Sequence, residues 1–237
     1  MNAALLIAAG TGQRMHLETP KQFLRVRGKP VLQYTIERFQ SHPEIDAICV
    51  VTLPDWIETV RGWRESSGFS KLRWVVAGGA TGQESIRNGV EELARHLDPS
   101  DIVLVHDGIR PMVSAEIISD NIATCRRRGN AITVLPSADA ICRSRDGESS
   151  DVLENRDELW RTQTPQAVPL GTLVRIHREA RERGLSNVVA TFALLIRLGI
   201  PVHFSPGSET NVKITTQADL AIFRALLAVG DNPAVED

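Results

Sequence analysis

Strand-like and helix-like stretches alternate along almost the whole chain, and this alternation limits the fold more than any single motif. Ala3–Ala9 is an apolar run of strand length, and Val31–Gln40 then places Val31, Leu32, Ile36 and Phe39 at a helical period. Ile45–Leu53 is a second strand, stopped by Pro54. A helix follows over Trp56–Arg64, then a third strand over Leu72–Ala77. Gln83–His96 is helical, with Ile86, Val90 and Leu93 on one face, and Ile102–Val105 is a fourth strand. Ser114 is an N-cap for a helix running to Gly129, and Ala131–Leu135 is a fifth strand. Later, Pro169–Gly184 and Val188–Leu198 are helical, Val202–Ser205 and Asn211–Thr215 are short strands, and Gln217–Val229 is a closing helix. This order predicts one Rossmann-like α/β domain over residues 1–229 with a mostly parallel sheet, and a flexible tail over 230–237.

At 42% apolar and 24% charged residues, the 237-residue chain has the balance of a globular domain. Its net charge of −2 gives no reason to expect a nucleic-acid partner. Cys49, Cys125 and Cys142 are far apart, which suits a reducing compartment and argues against a disulfide frame or a zinc site. The first residues enter a strand with no basic leader, and no run is long enough to span a membrane; the expectation is a cytoplasmic protein away from membranes.

The first strand empties into Ala8–Ala9–Gly10–Thr11–Gly12–Gln13–Arg14–Met15, closed by Pro20–Lys21–Gln22. Two glycines let the backbone turn and bring bare N–H groups to a ligand, and Arg14 and Lys21 add two cations. That combination suits a polyphosphate. It is not a dinucleotide fingerprint, because Met15 stands where a third glycine is needed and the second strand ends near Leu53, too far on and without an acid. It is not a P-loop, because no Gly-Lys-Ser/Thr closes it. A plain glycine-rich connection is the competing reading of the loop alone.

Three other stretches fall where an open α/β sheet binds ligands, beyond the carboxyl ends of its strands. His106–Asp107–Gly108–Ile109–Arg110–Pro111 offers Asp107 as a ligand for Mg2+ and Arg110 as a grip on phosphate; the alternative is a turn cap and a local ion pair. His106 is expected to be packed and not catalytic. In Gly78–Ser85, Gly79 leaves room for a flat base and Ser85 offers a hydroxyl to a base or ribose, or is only a first-turn residue. In Asn211–Thr216, Val212 and Ile214 point one way and Lys213 the other, toward the cleft if that side faces it. Ser137–Gln166 is different. It has a turn at Arg145–Glu148 and little apolar content, and a projecting arm packed on another subunit is its simplest use.

Taken together these stretches resemble the cytidylyltransferases that join CTP to a small polyol phosphate. The resemblance rests on the AAGxGxRM…PKQ, HDxxRP, RTQTPQ (Arg161–Gln166) and NVKIT (Asn211–Thr215) runs, in the family's order and spacing, and covers Ala3–Val229. It implies a Mg2+-dependent nucleotidyltransferase that works as a homodimer through the 137–166 arm. It implies that Arg14, Lys21 and Lys213 stabilise the reacting phosphates, and that Ala8, Ala9, Gly10, Thr11, Gly12, Gly79, Ser85 and Asp107 hold the nucleotide, Asp107 with the metal. Arg110, Asp139, Arg156 and Thr164 would then serve the polyol phosphate, Arg156 from the partner subunit. The familiar members use methylerythritol 4-phosphate, for isoprenoids, or ribitol 5-phosphate, for teichoic acid and capsule. Methylerythritol enzymes usually carry a Thr-Asp-acid-Ala run where this chain has Asn187–Thr191, a threonine where it has Ala140, HDAARP for its HDGIRP and an arginine where it has Gly82. These departures favour ribitol 5-phosphate, with methylerythritol 4-phosphate as the alternative.

Overall fold

The computed structural model describes residues 1–10, 19–186, 188 and 190–230. In chain order it begins β1 (Asn2–Ala8), β2 (Arg25–Val26), β3 (Lys29–Pro30), α1 (Val31–Ser41), β4 (Ala47–Thr52), α2 (Ile57–Ser66) and β5 (Leu72–Ala77). It continues α3 (Gly82–Leu93), β6 (Ile102–Asp107), α4 (Ala115–Arg128), β7 (Ala131–Pro136), β8 (Cys142–Arg143) and β9 (Val152–Leu153). It closes with β10 (Trp160–Pro169), α5 (Leu170–Glu182), α6 (Thr191–Arg197), β11 (Phe204–Pro206) and α7 (Gln217–Gly230).

Among the described residues, seven strands make one sheet in the order β11-β7-β10-β6-β1-β4-β5. β1, β4, β5 and β6 are mutually parallel, β11 is parallel to β7, and β10 alone runs against its neighbours. The pleat explains why the central strands are apolar throughout. Ala4, Leu6 and Ala8 of β1 enter the core under α1, α2 and α4, while Ala3 and Leu5 enter the core under α3, α5 and α6. Ile48 and Val50 against Ala47, Cys49 and Val51 repeat the division on β4, as Leu104 against Val103 and Val105 do on β6. Each buried leucine, isoleucine or valine contributes roughly 1.5–3 kcal/mol. Ser114 caps α4 by accepting the Ile117 N–H at 3.3 Å, and Gly129 ends it at φ 90°, a backbone state that glycine tolerates best.

The expected α/β domain with a mostly parallel sheet is present, and three local expectations change. Trp160–Pro169 is not part of a projecting arm; it is β10, inside the sheet between β6 and β7. Its glutamines hid this. Gln163 and Gln166 are buried because distant partners satisfy them: Gln163 Nε2 donates to the Ser208 carbonyl at 2.9 Å, and Gln166 Oε1 accepts the Phe192 N–H at 3.1 Å. Asn211–Thr215 is irregular backbone and not a strand, and the helix expected from Val188 begins at Thr191. What leaves the body is the stretch between β7 and β10, where β8 and β9 form a separate two-stranded hairpin that leaves Val152 and Leu153 exposed. No helix among the described residues is long and apolar enough to cross a membrane.

Candidate active site

The carboxyl ends of β1, β5 and β6 open into a cleft of about 530 Å3 lined by Ala8, Ala9, Gly10, Lys21, Gly79, Ser85, Asp107 and Lys213. A smaller hollow of about 180 Å3 shares Ile7, Gly82, Asp107 and Lys213 with it and adds Thr164, Gln166 and Thr191. A larger groove, about 760 Å3, runs between α3 and α5 and holds none of the motif residues. Thr11, Gly12 and Arg14 lie outside the described residues, as does Val189.

Lys21 opens a single helical turn, Lys21–Phe23, whose two following residues anchor it. Phe23 stacks on Trp56 with ring centroids 3.8 Å apart, and buried Gln22 donates through Nε2 to the Ala8 carbonyl at 2.7 Å and the Gly10 carbonyl at 3.0 Å. Gln22 thus ties the lysine turn to the end of β1, a role invisible in sequence because it is played through backbone atoms. Gly78 is required by close approach: a Cβ there would stand 2.2 Å from that of Ala9. Gly79 lines the cleft and meets a further need: its missing Cβ makes room for Glu84, whose own Cβ would lie 2.3 Å away. Ser85 Oγ donates to the Thr81 carbonyl at 3.0 Å and accepts the Gly79 N–H at 3.1 Å, so its proton already shapes the loop.

Asp107 joins the cleft's two walls. Lys213 Nζ donates to its Oδ1 and Arg110 Nε to its Oδ2, each at 3.0 Å. Burial alone would raise the Asp107 pKa, but Lys213 and then Arg110 outweigh it and hold the carboxyl below its ordinary range. Lys213 is aimed by its neighbour: Ile214 is fully buried beside Ile109 and Phe223, and its N–H donates to the Ile109 carbonyl at 2.9 Å. The side-chain alternation expected at Lys213 therefore holds at Ile214, although the segment is not a strand.

Arg110 differs from expectation. It is buried, lines neither hollow, and spends its guanidinium on Asp107 and on the Asn211 carbonyl, 2.7 Å from Nη1. In this arrangement it positions the carboxylate and the Lys213 segment. Asn211 Nδ2 in turn donates to Gln163 Oε1 at 3.1 Å and to the Thr164 carbonyl at 2.9 Å. The HDxxRP, RTQTPQ and NVKIT runs are therefore one hydrogen-bonded unit. His106 is packed, as expected, and burial above all pushes its pKa down to about 4. Thr164 reaches the smaller hollow. Asp139 and Arg156 do not: both are exposed on the excursion between β7 and β10 and line neither cavity.

A cleft at the carboxyl edge of a parallel α/β sheet, with two lysines beside an ionised carboxylate, is the site of a phosphate-handling α/β protein. The chain belongs to the 2-C-methyl-D-erythritol 4-phosphate cytidylyltransferase (IspD) family, whose model matches residues 2–229. It is 38% identical over 229 residues to a ribitol-5-phosphate cytidylyltransferase of Lacticaseibacillus paracasei, covering 96% of this chain and 98% of that one. It is also 38% identical over 226 residues to a 2-C-methyl-D-erythritol 4-phosphate cytidylyltransferase of Geobacter metallireducens, covering 94% and 96%. Among solved structures it resembles the 4-diphosphocytidyl-2C-methyl-D-erythritol synthase of Anaerococcus prevotii, with a TM-score of 0.80, 28% identity and 96% of each chain covered. The family expected from the four runs is the family found.

Proposed function

We propose that this protein transfers CMP from CTP to a polyol phosphate, releasing pyrophosphate, with ribitol 5-phosphate as the favoured acceptor. The observation that carries this is the convergence of Gly10, Lys21, Asp107 and Lys213 on one cleft. A phosphate oxygen of the acceptor attacks the α-phosphorus of CTP in line, the bond to the β-phosphate oxygen breaks, and pyrophosphate leaves. That oxygen is already ionised near neutral pH, so the protein supplies position and positive charge and no general base. Lys21 and Lys213 stabilise the charge that grows on the transferring and leaving phosphates.

Asp107 suits Mg2+. Its carboxyl is ionised and lines the cleft, and Mg2+ commonly takes one or two carboxylates with substrate phosphates as its remaining ligands. When bound, the ion neutralises phosphate charge. An ion held there would share the carboxylate with Lys213, which donates to Oδ1.

Two considerations favour ribitol 5-phosphate. Relatives named ribitol-5-phosphate cytidylyltransferase match 96–99% of this chain at 32–38% identity, including one from Vibrio parahaemolyticus at 36%. This chain also lacks an acid across 187–191 and has Ala140 where methylerythritol enzymes usually have threonine. The test is pyrophosphate release from CTP and Mg2+ with ribitol 5-phosphate and methylerythritol 4-phosphate side by side. Preference for the latter overturns the acceptor, and release with neither overturns the transfer.

The exposed Asp139 and Arg156 fit a homodimer in which the excursion reaches a second copy's site. Deleting Arg143–Glu154, which removes the hairpin, is then expected to give monomers of greatly reduced activity. A fully active monomer in light scattering and assay refutes the shared site.

A further inference from the structure

The groove of about 760 Å3 between α3 and α5 shares no lining residue with the nucleotide cleft and has the size of a small-molecule site. Its helices run antiparallel. Gln83 Nε2, at the start of α3, donates to the Leu185 carbonyl just beyond α5, and the Gly171 N–H, at the start of α5, donates to the Pro99 carbonyl beyond α3. This register sets Arg87 level with Arg181 and Ala94 level with Val174. Cations therefore gather at one end of the groove and apolar groups at the other, with Val90 between them. The charges do not cancel: four arginines line the groove with two glutamates, Glu91 and Glu182, in a chain whose net charge is −2. The ion pairs are long, 3.7 Å from Arg87 to Glu91 and 3.9 Å from Arg178 to Glu182, and Arg181 has none among the described residues. Arg95, at the apolar end, is bonded to Glu92 at 2.8 Å.

His177 is the second observation. It lines the same groove, is 5% exposed, and its Nε2 has no hydrogen-bond partner among the described residues. A buried polar atom left unpaired costs stability, and a leucine would fill the place without that cost. A solvated helix face accounts for arginine–glutamate pairs four residues apart, but not for an unpaired imidazole beside them. Burial and the neighbouring Arg87 keep the ring neutral at pH 7, so it has one N–H to give. We propose that this groove is a second ligand site, for a small organic anion whose charged end is held by Arg87, Arg178 and Arg181 and whose apolar body lies on Val90, Ala94 and Val174. The planar forks of the arginines match a carboxylate or phosphate group, and that group supplies the partner His177 lacks. None of these residues lines the nucleotide cleft, so the site stands whether or not CTP is turned over.

The test adds phenyl phosphate and 3-phenylpropanoate separately to the whole protein while nitrogen-15 signals of the imidazoles are followed, those of His177 being assigned by their absence from His177→Leu. At least one probe is expected to move the His177 signals saturably, and the one that does identifies the head group. Its affinity is expected to exceed that of inorganic phosphate, which has no apolar body, by about tenfold or more. Benzyl alcohol, which has the body and no charge, is expected to leave the signals in place. In calorimetry Arg181→Gln and His177→Leu are each expected to weaken binding of that probe about tenfold, the scale of one hydrogen bond to a charged group. Arg181 is exposed, so its variant keeps the test open should His177→Leu fold poorly. His177 signals that neither anion moves, an affinity unchanged in Arg181→Gln, or benzyl alcohol bound as tightly as the anions overturns the proposal.

Discussion

Two arginines divide the molecule. Arg110 has 11% of its side chain exposed and bonds to Asp107 and the Asn211 carbonyl, so it belongs to the floor of the cleft. Arg156 is 58% exposed on the excursion, and its nearest acid is Asp157 at 4.0 Å. Both were expected to serve the acceptor. The difference is that Arg110 is fixed among buried, mutually satisfied groups at the floor of the cleft, while Arg156 stands exposed on the excursion and lines neither hollow.

The strongest challenge to this division is Arg110→Ala. It leaves the Asn211 carbonyl with only the long 3.5 Å bond from Gln163 Nε2 and removes one of the two cations that hold Asp107. Breaking a buried pair this way costs on the order of 3 kcal/mol. A comparable drop in unfolding free energy, read by chemical denaturation, is expected, together with lost activity. A stable Arg110→Ala protein with only a raised acceptor KM would return Arg110 to the substrate. Lys213→Ala comes next. Its side chain is 41% exposed and its ion pair with Asp107 is partly open to solvent, so stability falls by no more than about 1 kcal/mol, while kcat falls roughly a hundredfold or more as about 3 kcal/mol of electrostatic stabilisation is lost. Normal turnover in this variant or in Lys21→Ala would dismantle the site.

What the sequence made legible follows the same division. The central strands announced themselves because both faces are buried, Asp107 stood out because a carboxylate beside glycine at a strand end has few structural uses, and Lys213 stood out by its place between Val212 and Ile214. β10 was illegible because its polar residues are satisfied by partners about 26 to 48 positions away along the chain, such as Phe192 and Asn211. A single string does not say which polar residues will find such partners. The structural bonds of Arg110 and the packing of Gly79 were hidden for a related reason. A charge that grips a ligand and one that grips a neighbouring carboxylate have the same letter, as do a glycine that admits a base and one that admits Glu84.

Acid separates the two regions by a smaller margin. Burial, with help from Arg87, pushes His177, on α5, from 6.5 down to about 4. A histidine whose folded pKa is depressed stabilises the protein fully above its unfolded pKa and loses that contribution as pH falls toward the folded one. The body is therefore expected to lose about 2 kcal/mol through His177 between pH 7 and pH 5, and His177→Leu to lose correspondingly less. The hairpin tip runs on a different titration. Asp146 accepts N–H bonds from Ser149 and Glu148 and hydroxyl bonds from Ser144 and Ser149, which hold its carboxyl well below the usual range. Its turn persists while the body weakens. Amide exchange at 147–149 that rises together with global unfolding at pH 5 would erase the distinction.

The smallest structural effect carries the sharpest test. Arg156→Ala removes an exposed side chain with one long ion pair, and its unfolding free energy is expected within about 0.5 kcal/mol of the parent. If the side chain completes the acceptor site of a second copy, KM for ribitol 5-phosphate rises and KM for CTP does not. Mixing settles the geometry. Arg156→Ala and Lys213→Ala are each defective alone, but a heterodimer of the two contains one site with both residues intact. Activity regained on mixing, toward a quarter to a half of the parent's per dimer, places Arg156 across the interface. No recovery in dimers shown to exchange subunits places it in its own chain's site, and the division drawn between the two arginines would then lie within one monomer.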